Sequence, residues 1–214
     1  MVQNEKWEGY VRGDAFPPTT GQFGRMGENM QLYFDFTKSA TRQSIIEQLR
    51  AKIADAEWAA GMTDAMRAGV PKGHHHGIVE VRQTIDGLRI SQAVKDHMHA
   101  VYEILAAAEA KVHGCTVDET HFHEVGNGEA ILNTLVICIA FAQLHPDYVM
   151  ATPVQTGSGQ IECAHGLMDI PAPATAAILE TGIPTCEEKL PGELCTPTSA
   201  AIIKHFVQEF RELS

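Results

Sequence analysis

Apolar residues recur along the chain at spacings of three and four residues, which is the pattern of amphipathic helices. The longest such run lies between residues 94 and 112, and its apolar positions are Val94, Met98, Val101, Leu105, Ala108 and Val112. Ser91 stands before this run as a helix cap, and Gly114 stands after it as a helix stop. The sequence therefore predicts a helix that ends at about His113.

Other stretches predict further helices and strands. Ile45, Ile46, Leu49 and Ile53 lie on one face of a predicted helix that starts at Ser39 or Thr41 and runs to about residue 58. In the first half of the chain, the other predictions are a strand at 31–36, a loop at 59–73 with room for one helical turn, a strand or short helix at 78–85 and an extended segment at 121–125. In the second half they are a buried helix at 129–144 capped by Asn127, a strand over 148–159 that ends in a glycine turn, a possible second strand within 160–175, a short helix from Pro173 to Gly182, and a helix that is capped by Thr196, has Pro197 in its first position and runs to residue 210.

This alternation of strands and helices favours an α/β fold, a layered mixed sheet with helices, in a single domain. Residues 1–29 are rich in glycine and polar side chains, so we expect a flexible N-terminal extension there. The folded domain is expected to span residues 30–214.

Composition narrows the class of protein. The 214 residues are 44% hydrophobic and carry a formal net charge of −11, which argues against nucleic acid and anionic membrane surfaces as partners. The first 30 residues have no apolar signal-peptide region, and the five cysteines form no CxxC pair. We therefore expect a cytoplasmic protein with reduced thiols.

The stretch HFHEVG at 121–126 is the first candidate site. In an extended segment His121 and His123 project from the same face, and two imidazoles there can bind one ion such as Zn²⁺, Ni²⁺ or Cu²⁺. Glu124 would support a ligand rather than act as one. The alternative is two surface histidines beside a core phenylalanine, Phe122.

Two other stretches also carry metal-binding side chains. His74, His75 and His76 lie between two glycines and form a metal-avid tract, although a solvated loop has the same composition. Cys163 and His165 can ligate a metal together, or can be a buried thiol beside a structural histidine. His97, His145 and the other remaining histidines have no neighbours in the sequence that suggest a role.

A phosphate group could bind at either of two places. Gly157, Ser158 and Gly159 lie in a turn that can present successive backbone N–H groups to an anion. Thr196 and Thr198 lie at a helix start, where the helix dipole and the hydroxyls also favour an anion. Most such turns and helix starts bind nothing, but together these residues allow a phosphate-bearing ligand near the histidines.

Several of these stretches, in this order, resemble one family. The residues that carry the resemblance are the histidine tract, AEAKVHG at 108–114, HFHEVG at 121–126, GSGQIECAHGLMDIPAPAT at 157–175 and GELCTPTSAA at 192–201. Together they resemble the N-terminal part of the nickel-insertion protein LarC family, in a shortened form. The resemblance covers residues 74–211, with a weaker match at 30–36.

The resemblance implies a metal-binding domain over residues 30–214 that serves the synthesis of the nickel-pincer cofactor. In that family nickel is inserted into a pyridinium bis-thiocarboxylate mononucleotide by a CTP-dependent chelatase of the lyase class. The implied metal ligands are His121, His123 and His165, with the His74–His76 tract as a collector of Ni²⁺ or another divalent ion. The glycine turn and the Thr196 helix start would hold the mononucleotide phosphate.

Three functions remain open at this point. The family's CTP-binding domain has no counterpart in this sequence, so we expect a separate CTP-binding subunit, and we also expect a homo-oligomer. The first alternative to nickel insertion is a non-catalytic protein that binds or stores a divalent metal. The second is a diverged paralogue that acts as an interaction module. No catalytic residue can be assigned from the sequence.

Overall fold

A computed structural model describes residues 30–71, 76–122, 126, 128–163 and 166–211, with the backbone alone for His76 and Cys163. The strands in this part of the chain are β1 Gln31–Phe34, β2 His76–Gly77, β3 His121–Phe122, β4 Tyr148–Ala151, β5 Gly157–Ser158, β6 Gln160–Cys163, β7 Gly166–Asp169, β8 Gly192–Glu193 and β9 Glu209–Phe210. The helices are α1 Arg42–Arg50, α2 Asp55–Arg67, α3 Ile78–Gly87, α4 Gln92–His113, α5 Gly128–Leu144, α6 Pro173–Leu179 and α7 Pro197–Phe206, with a 3₁₀ turn at Val117–Glu119.

The central sheet contains three parallel strands in the order β1-β4-β9. Leu32 pairs with Val149, and Ala151 pairs with Phe210. The antiparallel pairs β2-β3, β5-β8 and β6-β7 form separate small sheets. The predicted α/β class is confirmed, with parallel and antiparallel pairing in different sheets.

Aromatic side chains join the central sheet to the helices. The rings of Phe34 and Phe141 lie 5.8 Å apart, and Phe141 stacks on Phe206 at 3.7 Å with the two planes nearly parallel. These residues belong to one buried cluster that extends from Met30 to Phe206. A shared core of this kind holds β1, α5 and α7 in fixed relative positions.

Two of the predicted helices form with the predicted caps. Ser91 begins α4 by accepting a hydrogen bond from the Val94 N–H, and Gly114 ends the helix in a left-handed conformation. Thr196 caps α7 in the same way, with Pro197 in the first turn. Val112 is 40% exposed, so the last apolar position of the α4 run is not in the core.

Four other element predictions were wrong. The helix expected to run from the Thr196 cap to residue 210 ends at Phe206, and residues 209–210 form β9 instead. The helix expected to reach residue 58 ends at Arg50, and the loop expected at 59–73 is helical as far as Arg67. The strand expected over 148–159 ends at Ala151. Residues 78–85, for which the sequence allowed either a strand or a short helix, belong to α3. The Asn127 cap and the extension at 1–29 lie outside the described residues.

Gly61 lies inside α2, within the segment that was predicted to be a loop. A side-chain carbon at this position would lie 3.2 Å from the Ile139 side chain and 3.1 Å from that of Gln143, both on α5. Glycine therefore permits the close approach of two helices rather than a turn. Helix propensity disfavours glycine, but packing against α5 overrides that preference.

Replacing Gly61 with valine is expected to lower the free energy of unfolding by about 1–3 kcal/mol, because the added atoms force α2 away from α5. Urea unfolding followed by circular dichroism measures the change. Gly87→Val is the matched control, since a side-chain carbon there meets nothing within 4 Å. Equal losses in the two variants would contradict the packing explanation.

The connections place three helix starts at one edge of the central sheet. α1 follows β1, so its N-terminus lies near the carboxyl end of that strand. α5 leads into β4 and α7 leads into β9 through short connections, so both helices also begin at the carboxyl edge. In open parallel sheets this is the edge where ligands bind.

Among the described residues, no helix is long and apolar enough to cross a bilayer.

Candidate functional site

The pairing of β2 with β3 brings two distant candidate stretches together. His76 pairs with Phe122 and Gly77 pairs with His121 in antiparallel register. The Ile78 N–H donates to the Thr120 carbonyl at 3.4 Å, which continues the contact between the two segments. The end of the histidine tract is therefore beside the start of HFHEVG, which the sequence alone did not predict.

His121 lies on the exposed side of this strand pair. Gly77 is buried beside it, and a side-chain carbon on Gly77 would lie 3.6 Å from His121 Nδ1 and 3.3 Å from Glu80 Oε2. Glu80 also accepts a hydrogen bond from the Gly77 N–H. Gly77 thus leaves a small space between an imidazole and a carboxylate. Glu80 was not predicted from the sequence. Its only distinguishing feature there is its position three residues after Gly77, the residue that caps α3.

Phe122 anchors the segment to the core. Its side chain is 1% exposed, and its ring meets the fully buried ring of Tyr102 on α4 edge-on at 6.0 Å. Phe122 points inward while His121 points to solvent, as the alternation of side chains along an extended segment requires. The core therefore fixes the strand from which the histidine projects.

Polar side chains gather where β1 ends. Asp35 Oδ1 accepts hydrogen bonds from the N–H and the hydroxyl of Thr37, and the Gln48 side chain binds the backbone of Asp35. Thr152, just after β4, accepts from the Phe36 N–H at 2.7 Å. These contacts form the carboxyl edge of the sheet. The contact between Phe36 and Thr152 joins residues 116 positions apart, so it could not be predicted from the sequence.

The glycine turn lies at the same edge. Gly157 is buried with φ +83°, and its N–H donates to Gln155 Oε1 at 3.1 Å. The Ser158 hydroxyl donates to the Leu190 carbonyl, and Gly159 has φ +105°. The N–H of Gly157 and the hydroxyl of Ser158 are thus already bonded within the protein. Leu194 bonds to both Ala40 and Thr156, which ties the turn to the start of α7 and the loop before α1.

The two predicted threonines at the start of α7 differ in their contacts. The Thr196 hydroxyl lies 2.9 Å from the Ser199 hydroxyl and caps the helix. Thr198 is 1% exposed, and its hydroxyl has no hydrogen-bond partner in the part of the chain that the structure describes. A buried hydroxyl without a partner is rare in proteins and calls for a polar ligand or water nearby.

Several predicted ligands lie outside the described residues, namely His74, His75, His123, Glu124 and His165, together with the side chains of His76 and Cys163. Within the described ranges, no group of three His, Cys, Asp or Glu side chains is arranged to hold a metal ion. Two other thiols are poor ligands, because burial raises the pKa of Cys195 to about 12 and also raises the pKa of Cys138.

Curated relatives are between 37% and 42% identical to this chain over the aligned residues. A pyridinium-3,5-bisthiocarboxylic acid mononucleotide nickel insertion protein of Geobacillus kaustophilus is 39% identical over 155 residues, which cover 69% of this chain and 38% of the relative. The proteins of that name from Staphylococcus epidermidis and Desulfitobacterium hafniense are 41% and 38% identical, over 64% and 65% of this chain and 34% and 35% of theirs.

The chain thus spans little more than a third of the length of these relatives. No solved structure matches it. A model of the family described as nickel insertion protein matches residues 26–214, which is most of the chain and includes both the β2-β3 pair and the carboxyl edge. The chain belongs to the nickel insertion protein family.

Proposed function

We propose that this chain binds nickel at the histidines beside the β2-β3 pair and takes part in inserting it into pyridinium-3,5-bisthiocarboxylic acid mononucleotide. The pairing of His76 with Phe122 carries the proposal, because it sets the histidine tract against HFHEVG. The names of the curated relatives supply the ion and the nucleotide.

The position of the pair supports a joint site for metal and nucleotide. HFHEVG leads directly into α5, which starts at the carboxyl edge of the central sheet, where α1 and α7 also start. Helix starts favour anions, so this edge suits the phosphate of a mononucleotide. The phosphate would lie near Gly159 and the start of α7, where the hydroxyl of Thr198 has no partner among the described residues.

The ligand chemistry is consistent with transfer of an ion. Imidazoles bind borderline divalent ions, and the thiocarboxylate sulfurs of the nucleotide are softer ligands that can receive nickel from them. His121 is exposed, so an incoming nucleotide can reach it. In this proposal His123 and His165 complete the protein ligands, Cys163 and Glu124 support them, and His74–His76 collect the ion. The net charge of −11 further attracts cations.

The family resemblance implies a requirement for CTP. We assign the binding of CTP to a separate protein rather than to these 214 residues. In this proposal a separate CTP-binding partner acts with the chain, and the chain is a homo-oligomer. Copurification of a CTP-binding protein with the tagged chain tests the first point, and light scattering of the purified chain tests the second.

Replacing both His121 and His123 with alanine is expected to weaken Ni²⁺ binding more than tenfold and leave the fold intact. Calorimetric titration of the metal-free protein with Ni²⁺ measures the affinity, and circular dichroism checks the fold. His99→Ala with His113→Ala is the matched control, because it also removes two histidines, both from α4.

The outcomes separate the candidate functions. Parent-like nickel binding by the His121/His123 variant would remove HFHEVG as the site. A parent protein that binds Ni²⁺ tightly but yields no nickel-loaded mononucleotide by mass spectrometry, with CTP and the partner present, would be a metal-binding or storage protein instead.

A further inference from the structure

The side chains of His97 on α4 and His205 on α7 lie against each other, although the residues are 108 positions apart. His97 Nδ1 and His205 Nε2 are separated by 2.9 Å, and the ring centroids by 5.1 Å. Neither residue has a role that can be predicted from the sequence. Two imidazole nitrogens that face each other at this distance share either a hydrogen or a metal ion.

One side of the pair is apolar. The Phe206 ring lies 5.0 Å from the His97 ring and 4.5 Å from the His205 ring, and it stacks in turn on Phe141. Burial lowers the pKa of His205 to about 4 and lowers the pKa of His97 as well. Both rings are therefore neutral at pH 7, which is the form of histidine that ligates metals.

The spacing suits one class of ion. An ion about 2.1 Å from both nitrogens would see them at an angle of about 90° without moving them apart. Square-planar and tetragonal sites, which Ni²⁺ and Cu²⁺ form with nitrogen and oxygen ligands, need this angle. Tetrahedral Zn²⁺ needs a wider separation. To bind one ion, each ring must tilt so that the lone pairs of His97 Nδ1 and His205 Nε2 converge on it. Both side chains are only partly buried, which allows this tilt.

This pair lies at the ends of α5 and α7, away from the edge where these helices start, and it shares no residue with the β2-β3 site. His205 lies in the last turn of α7, and His145, whose charge also acts on His97, follows the end of α5. The ends of α5 and α7 lie at the amino edge of the sheet, opposite the edge where these helices start. The 17 residues of α5 alone place about 25 Å between its two ends.

We propose that His97 and His205 form a second divalent-metal site, which takes Ni²⁺ or Cu²⁺ in preference to Zn²⁺, with water completing the coordination. The site goes beyond the proposed insertion function and does not depend on it. Such a site would hold an ion on the face of the molecule opposite the nucleotide edge.

The test uses a background in which His74, His75, His76, His121, His123 and His165 are all alanine, so that the histidine ligands of the first site are removed. Titration of this protein with Ni²⁺ is expected to retain one ion per chain, bound more tightly than Zn²⁺. Adding His97→Asn and His205→Gln should weaken that binding at least tenfold. Asn and Gln place amide groups where the two ring nitrogens lie, so the contact between α4 and α7 is kept, and an unchanged urea midpoint checks this.

A second measurement does not depend on folding of the variants. In the parent protein, paramagnetic Ni²⁺ should broaden the ring signals of His97 and His205 in NMR spectra. Loss of all nickel binding in the background protein, or equal binding with and without His97 and His205, would overturn the proposal. His97→Asn with His205→Gln alone should leave nickel insertion unchanged, whereas His121→Ala with His123→Ala abolishes it, so the two proposals fail separately.

Discussion

Gly157→Ala is expected to lower the free energy of unfolding by at least about 3 kcal/mol, because alanine would meet both a strained backbone and a collision. Gly157 has φ +83°, which side chains other than hydrogen rarely accept. An added Cβ would lie 1.8 Å from the Gly192 carbonyl oxygen on the paired strand β8. Relief of this collision requires the backbone of β5 or β8 to shift, and β8 leads into the start of α7.

Gly159→Ala is the matched control for this prediction. Gly159 also has a positive φ, of +105°, but an added Cβ there meets nothing within 4 Å. The control therefore carries the backbone strain without the collision, and it should lose only about 1–3 kcal/mol. Urea unfolding of both variants measures the difference. A loss at Gly157 no greater than the loss at Gly159 would show that β8 yields easily, contrary to the close packing seen.

Phe122→Ala is expected to lower the free energy of unfolding by about 3–5 kcal/mol, the usual cost of emptying a buried phenylalanine site. The ring is 1% exposed and packs on Tyr102, so few atoms can move in to fill the space. The same change should weaken nickel binding several-fold, because Phe122 holds the strand from which His121 projects. Urea unfolding and nickel titration measure the two effects.

Phe122→Leu keeps most of the buried volume and should lose less than half as much stability. Its nickel affinity should stay close to that of the parent protein, because β3 remains anchored. Parent-like affinity in Phe122→Ala, with the stability loss present, would mean that the core does not position the histidine. This comparison separates the role of Phe122 in packing from its role in placing the metal site.

The two variants probe different parts of the proposed site. Gly157 bears on the carboxyl edge, where a phosphate is proposed to bind, and Phe122 bears on the β2-β3 pair, where nickel is proposed to bind. If the two parts serve one reaction, both variants should reduce nickel insertion. Only Phe122→Ala should also reduce nickel binding. Nucleotide binding should fall in Gly157→Ala.

Local signals in the sequence were sufficient where an element is amphipathic and capped. The spacing from Val94 to Leu105, with Ser91 and Gly114 at the ends, predicted α4 to within about one residue. Thr196 and Pro197 predicted the start of α7 equally well, although the helix expected to run to residue 210 ends at Phe206. In each case the cap satisfies the helix ends through neighbours in the sequence, so no distant contact is needed.

Local signals failed where distant packing decides the conformation. Residues 59–73 were predicted to form a loop, yet α2 continues through Gly61 to Arg67, and α5 packs closely against it at Gly61. For Gly157 the sequence suggested an anion-binding turn, and the structure adds that the Gly192 carbonyl occupies the space a side chain would need. A glycine in the sequence shows that a side chain is absent. It does not show which neighbouring atom occupies the space that a side chain would fill.

The sequence by itself determined the fold class, the helices with caps at both ends, and the residue types that can bind a metal, because these depend on near neighbours and on side-chain chemistry. Only the tertiary structure decided that His76 lies beside Phe122, that three helices start at one edge of the sheet, and that His97 meets His205. Those contacts join residues far apart in the chain, and burial of the common core, rather than any local pattern, brings them together.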